Sequence, residues 1–129
     1  MIVRPATKDD LPAILDVMDR CQLAMEDVNY SNWSGWLLLA VRQSQIIGLI
    51  HVLPAQPYCM IQEFGVLPEF QGGRAAHKLI EAAELMMRVS GYSEWCAFVG
   101  NDKNGFHETM QSWGAIASGG DGKAYRRKL

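Results

Sequence analysis

Glu63-Phe64-Gly65-Val66-Leu67-Pro68-Glu69-Phe70-Gln71-Gly72-Gly73-Arg74-Ala75-Ala76-His77-Lys78-Leu79-Ile80 reads as a buried strand, a proline-closed turn, two glycines and the first turns of a helix. A strand that feeds the N-terminus of a helix leaves several peptide N–H groups unpaired and pointing outward. The helix dipole adds partial positive charge at the same place. The stretch is therefore expected to bind an anion, phosphate above all, through the backbone around Gln71 to Ala76.

Downstream of it, Ala75, Leu79, Ala82, Met86 and Val89 form one apolar stripe of a long amphipathic helix, widened by Ala76, Ile80, Ala83 and Met87. Lys78, Glu81, Glu84 and Arg88 take the polar remainder, and Gly91 stands where a left-handed C-cap belongs. Trp95 to Val99 is the next strand. A strand, a helix and a strand in this order predict a crossover, with the second strand parallel to the one ending at Leu67. Upstream, the apolar runs Trp36 to Val41 and Ile46 to Leu53, split by the polar residues 42–45, predict a hairpin buried on both faces, and Tyr58 to Leu67 a third long strand.

Towards the ends the pattern continues. Ile2 to Pro5 opens with a short strand, and Asp9 is the expected cap of a helix that carries Pro12 in its first turn and Leu11, Ile14, Leu15, Met18 and Gln22 on its apolar face. Residues 22–33 read as a short second helix with a loop. Phe106 to Trp113 is a short helix ended by Gly114, and residues 115–118 and 123–129 form a final hairpin around the turn at Gly119 to Gly122. Arg126, Arg127 and Lys128 read as solvated charge guarding an edge strand rather than as a nucleic-acid tail.

A length of 129 residues predicts one domain with a single core. Twelve Lys and Arg against 14 Asp and Glu give no general electrostatic reason to bind nucleic acid or an anionic membrane, so neither is expected as a partner. No apolar run is long enough to span a bilayer, and Cys21, Cys59 and Cys96 show no metal or disulfide spacing. A cytoplasmic protein with free thiols and no metal is expected. Trp33, Trp36 and Trp113 are candidates for an interface between two copies.

The central stretch resembles the acetyl-CoA-binding core of the GCN5-related N-acetyltransferase (GNAT) superfamily, whose signature is Gln/Arg-x-x-Gly-x-Gly/Ala after a strand that ends in an apolar-Val-x-Pro segment. Phe64 to Pro68 supplies the strand end and Gln71 to Ala76 the signature, with Arg74 where the family has its central glycine. The order of elements agrees over nearly the whole chain. The resemblance implies an α/β, single-domain GNAT-like (acyl-CoA N-acyltransferase) fold over residues 1–129, a mixed central sheet of about six to seven strands with flanking helices. It implies acetyl-CoA as co-substrate, bound through Phe64, Val66, Gln71, Gly72, Gly73, Arg74, Ala75 and Ala76, with its pantetheine arm acting as a pseudo-strand where two parallel strands splay apart. Asn101 resembles the family's pantetheine-binding Asn, though its spacing to Gly114 is two residues too long. Arg74 is read as a phosphate partner, and obstruction of the site is the other reading.

Acetyl transfer to an amine needs a group that accepts the ammonium proton. Glu63 lies in an otherwise apolar strand, where burial raises a carboxyl's pKa towards the useful range, and the family places a recurrent glutamate base there. The other reading is a carboxylate at a strand bulge, or one that alternation alone puts on the outside. His51, near the end of the neighbouring strand, is the second catalytic candidate, because imidazoles change charge near neutral pH. Many family members carry a Tyr that protonates the leaving sulfur, and counting back from Gly114 puts Met110 at its position. Methionine has no proton to give. The resemblance thus implies an N-acetyltransferase moving acetyl to a primary amine, small molecule or peptide, by direct attack. The alternative is a CoA-binding or protein-interaction module of the same fold with little turnover.

Overall fold

The computed structural model describes residues 1–23, 34–99, 104–117 and 123–129. Its frame is the hairpin of β2 (Trp36–Arg42) and β3 (Gln45–Leu53). Gln43 and Ser44 both take positive φ, 49° and 66°, so the two-residue loop has the handedness that matches strand twist, and Arg42 pairs with Gln45 across it. Because the runs are continuously apolar, both faces can be buried. Leu37, Leu39 and Leu49 point to one side, Leu38, Ile50 and Val52 to the other. Each such side chain contributes roughly 1.5–3 kcal/mol relative to exposure.

Helix α1 (Leu11–Arg20) covers the first face with Ile14, Val17 and Met18. Helix α2 (Ala75–Val89) covers the second with Ala75, Leu79, Ile80, Ala83 and Met87. The other strands are β1 (Ile2–Pro5), β4 (Cys59–Val66), β5 (Glu94–Val99), β6 (Ile116–Ala117) and β7 (Lys123–Lys128), and α3 (Asn104–Ser112) follows β5. Together they make one seven-stranded sheet in the order β1-β2-β3-β4-β5-β7-β6. Only β4 and β5 run parallel, joined by the predicted crossover through α2. Gly91 and Gly114 end α2 and α3 at φ 89° and 90°, the left-handed positions expected of them.

Several expectations change. Asp10, not Asp9, organises the start of α1: a single 3-10 turn brings it back to accept the Thr7 N–H at 2.8 Å, and Arg4 grips both its oxygens at 2.8 Å. On that helix Val17 takes the buried place expected of the flanking polar Gln22. Helix α2 is rotated so that the row Ala75, Leu79, Ala83, Met87 meets the sheet. Val89 is 81% exposed, and Glu84, read as solvated, is buried.

β7 is not an edge strand. It lies between β5 and β6, and two of its charges make ion pairs: the exposed Arg126 donates to Glu94 at 2.6 Å, and the half-buried Arg127 donates through Nε to the buried Glu84 at 2.6 Å. Trp36 and Trp113 are half-buried, against Tyr92 and against His77 and Arg127 respectively. The expected second helix falls largely on residues 24–33, with Trp33, and the final turn on 118–122; both lie outside the described residues.

Candidate active site

Strand β4 has two halves. Cys59, Met60 and Ile61 pair with Trp95, Cys96 and Ala97 of β5, and there the parallel ladder stops. From Glu63 to Val66 β4 stays paired with β3 but no longer with β5, while β5 stays paired with β7 as far as Val99. The result is the splayed parallel pair expected from the sequence, with backbone polar groups along its inner edges that an extended amide can bond.

A β-bulge stands at the fork. His51 pairs with Glu63 but the next residue, Val52, pairs with Ile61, so Gln62 is the extra residue. The bulge resets alternation: Cys59 and Ile61, and then Phe64 and Val66, all pack in the core on the α2 side. Gly65 faces the other way, where an added Cβ would lie 3.1 Å from the Cys21 sulfur and from Leu23. Glu63 shares the face of Gly65, the α1 side. It is 6% exposed, so the outward reading is wrong and the buried one right.

His51 lies directly across from Glu63 and from Leu37 on the same face. It is buried, and its Nε2 is 2.6 Å from the Ser34 carbonyl oxygen. A carbonyl only accepts, so Nε2 carries the proton. Nδ1 has no hydrogen-bond partner among the described residues.

At the end of β4 the Leu67 N–H bonds the Ile47 carbonyl at 2.8 Å, Pro68–Phe70 makes one 3-10 turn, and the Gln71 side chain donates to the Val66 carbonyl at 3.0 Å. Gly72 has φ 83°, a conformation a side chain would resist. At Gly73 an added Cβ would meet only the Phe70 carbonyl oxygen, at 3.4 Å, so what a side chain there would obstruct is a ligand approaching the backbone. Arg74 is the N-cap of α2 at φ −95°, which any residue adopts, so the backbone does not require the family's glycine. Its side chain is exposed and lines an open cleft of about 340 Å³ with Arg42, Phe70, Gln71 and Gly73. The Arg42 guanidinium lies 5.6 Å from the Phe70 ring centre. Helix α2 has neither a side-chain cap nor an acidic residue in its first turn, and Ala75 and Ala76 keep that turn narrow. Nothing on the helix itself neutralises its positive end.

Among the residues expected to hold acetyl-CoA, Phe64 and Val66 bury their side chains and present backbone to the fork, and residues 71–76 form the loop. Asn101 lies outside the described residues. Met110 is 1% exposed and belongs to the same core cluster as Phe64, Ala97 and Tyr125, so it packs rather than reacts. Burial pushes the Cys59 thiol up to about 11, and Cys96 is raised for the same reason. The sequence allowed a bulge only as the other reading of Glu63 and did not place it at Gln62. Its trace was present in the switch of apolar positions from odd, Cys59 and Ile61, to even, Phe64 and Val66.

The whole chain superposes on known acetyltransferases. A PaiA N-acetyltransferase from Thermoplasma acidophilum, solved in complex with coenzyme A, gives a TM-score of 0.87 at 17% identity, over 99% of this chain and 98% of that one. A GNAT family acetyltransferase from Elizabethkingia anophelis with acetyl-CoA bound gives 0.83 at 18%, over 99% and 97%. A ribosomal-protein-alanine N-acetyltransferase from Brucella melitensis gives 0.77 at 16%, over the full length of both. No curated protein matches the sequence significantly. These likenesses establish the fold, and the sequence itself matches the family described as acetyltransferase (GNAT) over residues 8–110. With that match spanning most of its length, and with the β4–β5 fork and the uncapped α2 in place, the chain belongs to the acetyltransferase (GNAT) family.

Proposed function

We propose that the protein transfers acetyl from acetyl-CoA to a primary amine, a small molecule or a peptide, by direct attack, with Glu63 as a base acting through water. The observation that carries the reading is the coincidence of the buried Glu63 carboxyl with the point where β4 and β5 part. In this reading the backbone of residues 71–76 and the Arg74 guanidinium hold the pyrophosphate, and the inner edge of Gln62 to Val66 binds the pantetheine amides. The thioester then lies beside Glu63. The ammonium gives up one proton towards the carboxylate, its nitrogen bonds the thioester carbon, and the carbon–sulfur bond breaks to release CoA as the nitrogen loses its second proton to the departing sulfur or to solvent. Met110 offers the sulfur no proton, so departure relies on the stability of the thiolate and on solvent. That same observation favours a second reading, a CoA-binding module with little turnover. Free thiols at Cys21, Cys59 and Cys96 support a cytoplasmic setting.

The test is calorimetric titration with acetyl-CoA, followed by an assay of CoA release over a panel of small amines, polyamines and peptides with free N-termini or lysines. We expect binding by the parent, none by Gly73→Asp, whose carboxylate would face the pyrophosphate, and amine-dependent release. Absence of binding by the parent would overturn the donor assignment. Tight binding without release for any amine would select the binding module.

A further inference from the structure

The imidazole of His51 has a defined tautomer and an unused lone pair. Its Nε2–H is committed to the Ser34 carbonyl at 2.6 Å, which leaves Nδ1 as a bare acceptor in the neutral ring. That atom is buried and has no hydrogen-bond partner among the described residues, although buried acceptors are almost always satisfied. Directly across the strand pair, on the same face, stands the Glu63 carboxyl. Opposed residues of antiparallel strands hold their Cβ atoms only about 4.5–5.5 Å apart, within reach for a carboxyl on a rotatable stem.

The surroundings narrow what can serve that lone pair. On this face β2 presents Leu37 and Leu39, and α1 presents Ile14, Val17 and Met18, all apolar. Beyond the end of α1 the Cys21 thiol and Leu23 lie against Gly65, two residues along β4 from Glu63. The charged side chains of α1, Asp16, Asp19 and Arg20, are exposed, and Asp10 at its start is held by Arg4. Among the described residues, then, the titratable groups facing His51 are Glu63 and, farther along, Cys21. A thiol is a weak donor, whereas a carboxyl that has just taken a proton is a strong one.

We propose that His51 and Glu63 form a proton-sharing pair, in which His51 acts through Glu63 and never on the substrate. This rests on the reading of Glu63 as the base. When the carboxylate accepts the ammonium proton, its new O–H breaks towards Nδ1, an N–H bond forms there, and the carboxylate is restored beside an imidazolium. The Nε2–H stays on Ser34 throughout. After acetyl transfer that proton returns through Glu63 to solvent, and the second proton, which the nitrogen loses as the amide forms, leaves on the CoA sulfur or to solvent, so protons and charge balance and no further reactant is needed. The pair keeps the base charged for the encounter with the next ammonium, and favours acceptors that arrive as cations.

Two substitutions separate the two ring nitrogens. His51→Gln can keep a donor towards Ser34 while deleting the acceptor at the Nδ1 position; His51→Asn does the reverse. We expect His51→Gln to lower kcat on the order of tenfold to hundredfold with acetyl-CoA affinity unchanged, and to alter the acidic limb of the pH–rate profile. A spectroscopic arm needs neither activity nor a His51 variant: ¹⁵N resonances of the His51 ring should show the Nε2–H tautomer in the parent, and their pH dependence should change in Glu63→Gln. Parent-like kcat and pH profile in folded His51→Gln would overturn the proposal, as would ring resonances indifferent to Glu63→Gln. If no amine is acetylated even by the parent, the catalytic reading fails. The ring resonances then decide the pairing alone: a response to Glu63→Gln upholds it, and indifference overturns it.

Discussion

Two glutamates are buried among the described residues, and the chain treats them in opposite ways. Glu84 on α2 is 2% exposed and Glu63 on β4 is 6% exposed, so burial does not distinguish them. Their neighbours do. Glu84 Oε2 accepts from the Trp95 indole at 2.7 Å and from Arg127 Nε at 2.6 Å, and Arg88 stands 3.8 Å from Oε1. Arg127 also donates through Nη1 to the Trp113 carbonyl, so one carboxylate ties α2, β5, β7 and the end of α3 together. Glu63 stands at a bulge, where the sheet forks, opposite a histidine whose second nitrogen has no hydrogen-bond partner among the described residues. A buried carboxylate bonded to a cation on β7 and an indole on β5 is a fastener, while the one across from an imidazole at the fork is the base in the proposed function. Charge in a core reports function only after its partners have been named.

The sharpest way to break the comparison is Glu84→Ala. It leaves Arg127 and the Trp95 N–H without their acceptor, and removing one partner of a buried pair costs about 3–5 kcal/mol. Denaturant unfolding should show a loss in that range; a loss below about 1 kcal/mol would mean that the tie is ornamental and that the two glutamates do not differ as described. Next in size is Met110→Tyr. The fold buries Met110, so a larger ring with a hydroxyl should overpack the core, cost about 1–3 kcal/mol and lower turnover. A gain in turnover would show that the position reaches the sulfur after all. Arg74→Ala probes a cation that, unlike Arg127, has no ion pair among the described residues and points to a cleft. Acetyl-CoA affinity should fall on the order of fivefold, as for an exposed charge pair; tighter binding would mark Arg74 as an obstruction.

The smallest effect belongs to a third carboxylate, at the surface. The Arg4 guanidinium, with help from the Thr7 N–H, holds the Asp10 carboxyl well below the usual carboxylate range. A depressed folded-state pKa stabilises the protein above the ordinary carboxyl range and loses that contribution as pH falls through the folded value. Asp10→Asn should therefore lower the thermal midpoint at neutral pH, with the difference from the parent vanishing in acid. A gap that persists in acid would assign the effect to geometry instead of charge.

The legible parts of the fold were those written in local pattern. The buried hairpin, the crossover, the glycine C-caps and the loop between β4 and α2 all follow from spacing within about one element, and so did the location of Glu63 on a strand leading into that loop. What escaped depends on partners distant in sequence. Glu84 falls on the polar arc of a helical wheel, and its buried carboxylate is bonded by Trp95 and by Arg127, 43 residues away. Arg127 in turn read as edge charge because nothing local says that the two-residue β6 covers β7. The bulge hid for a different reason. One inserted residue leaves no mark except a change of parity, and a strand buried on both faces has no polar face against which to notice it.

The central claim is that Glu63 receives the proton of the amine, and Glu63→Gln tests it most directly, because the amide keeps the shape of the side chain and loses only its basicity. With any accepted amine, kcat should fall by about 10² to 10⁴ while calorimetric affinity for acetyl-CoA and the thermal midpoint stay at parent values. Parent-like turnover in the folded, acetyl-CoA-binding variant would contradict the account.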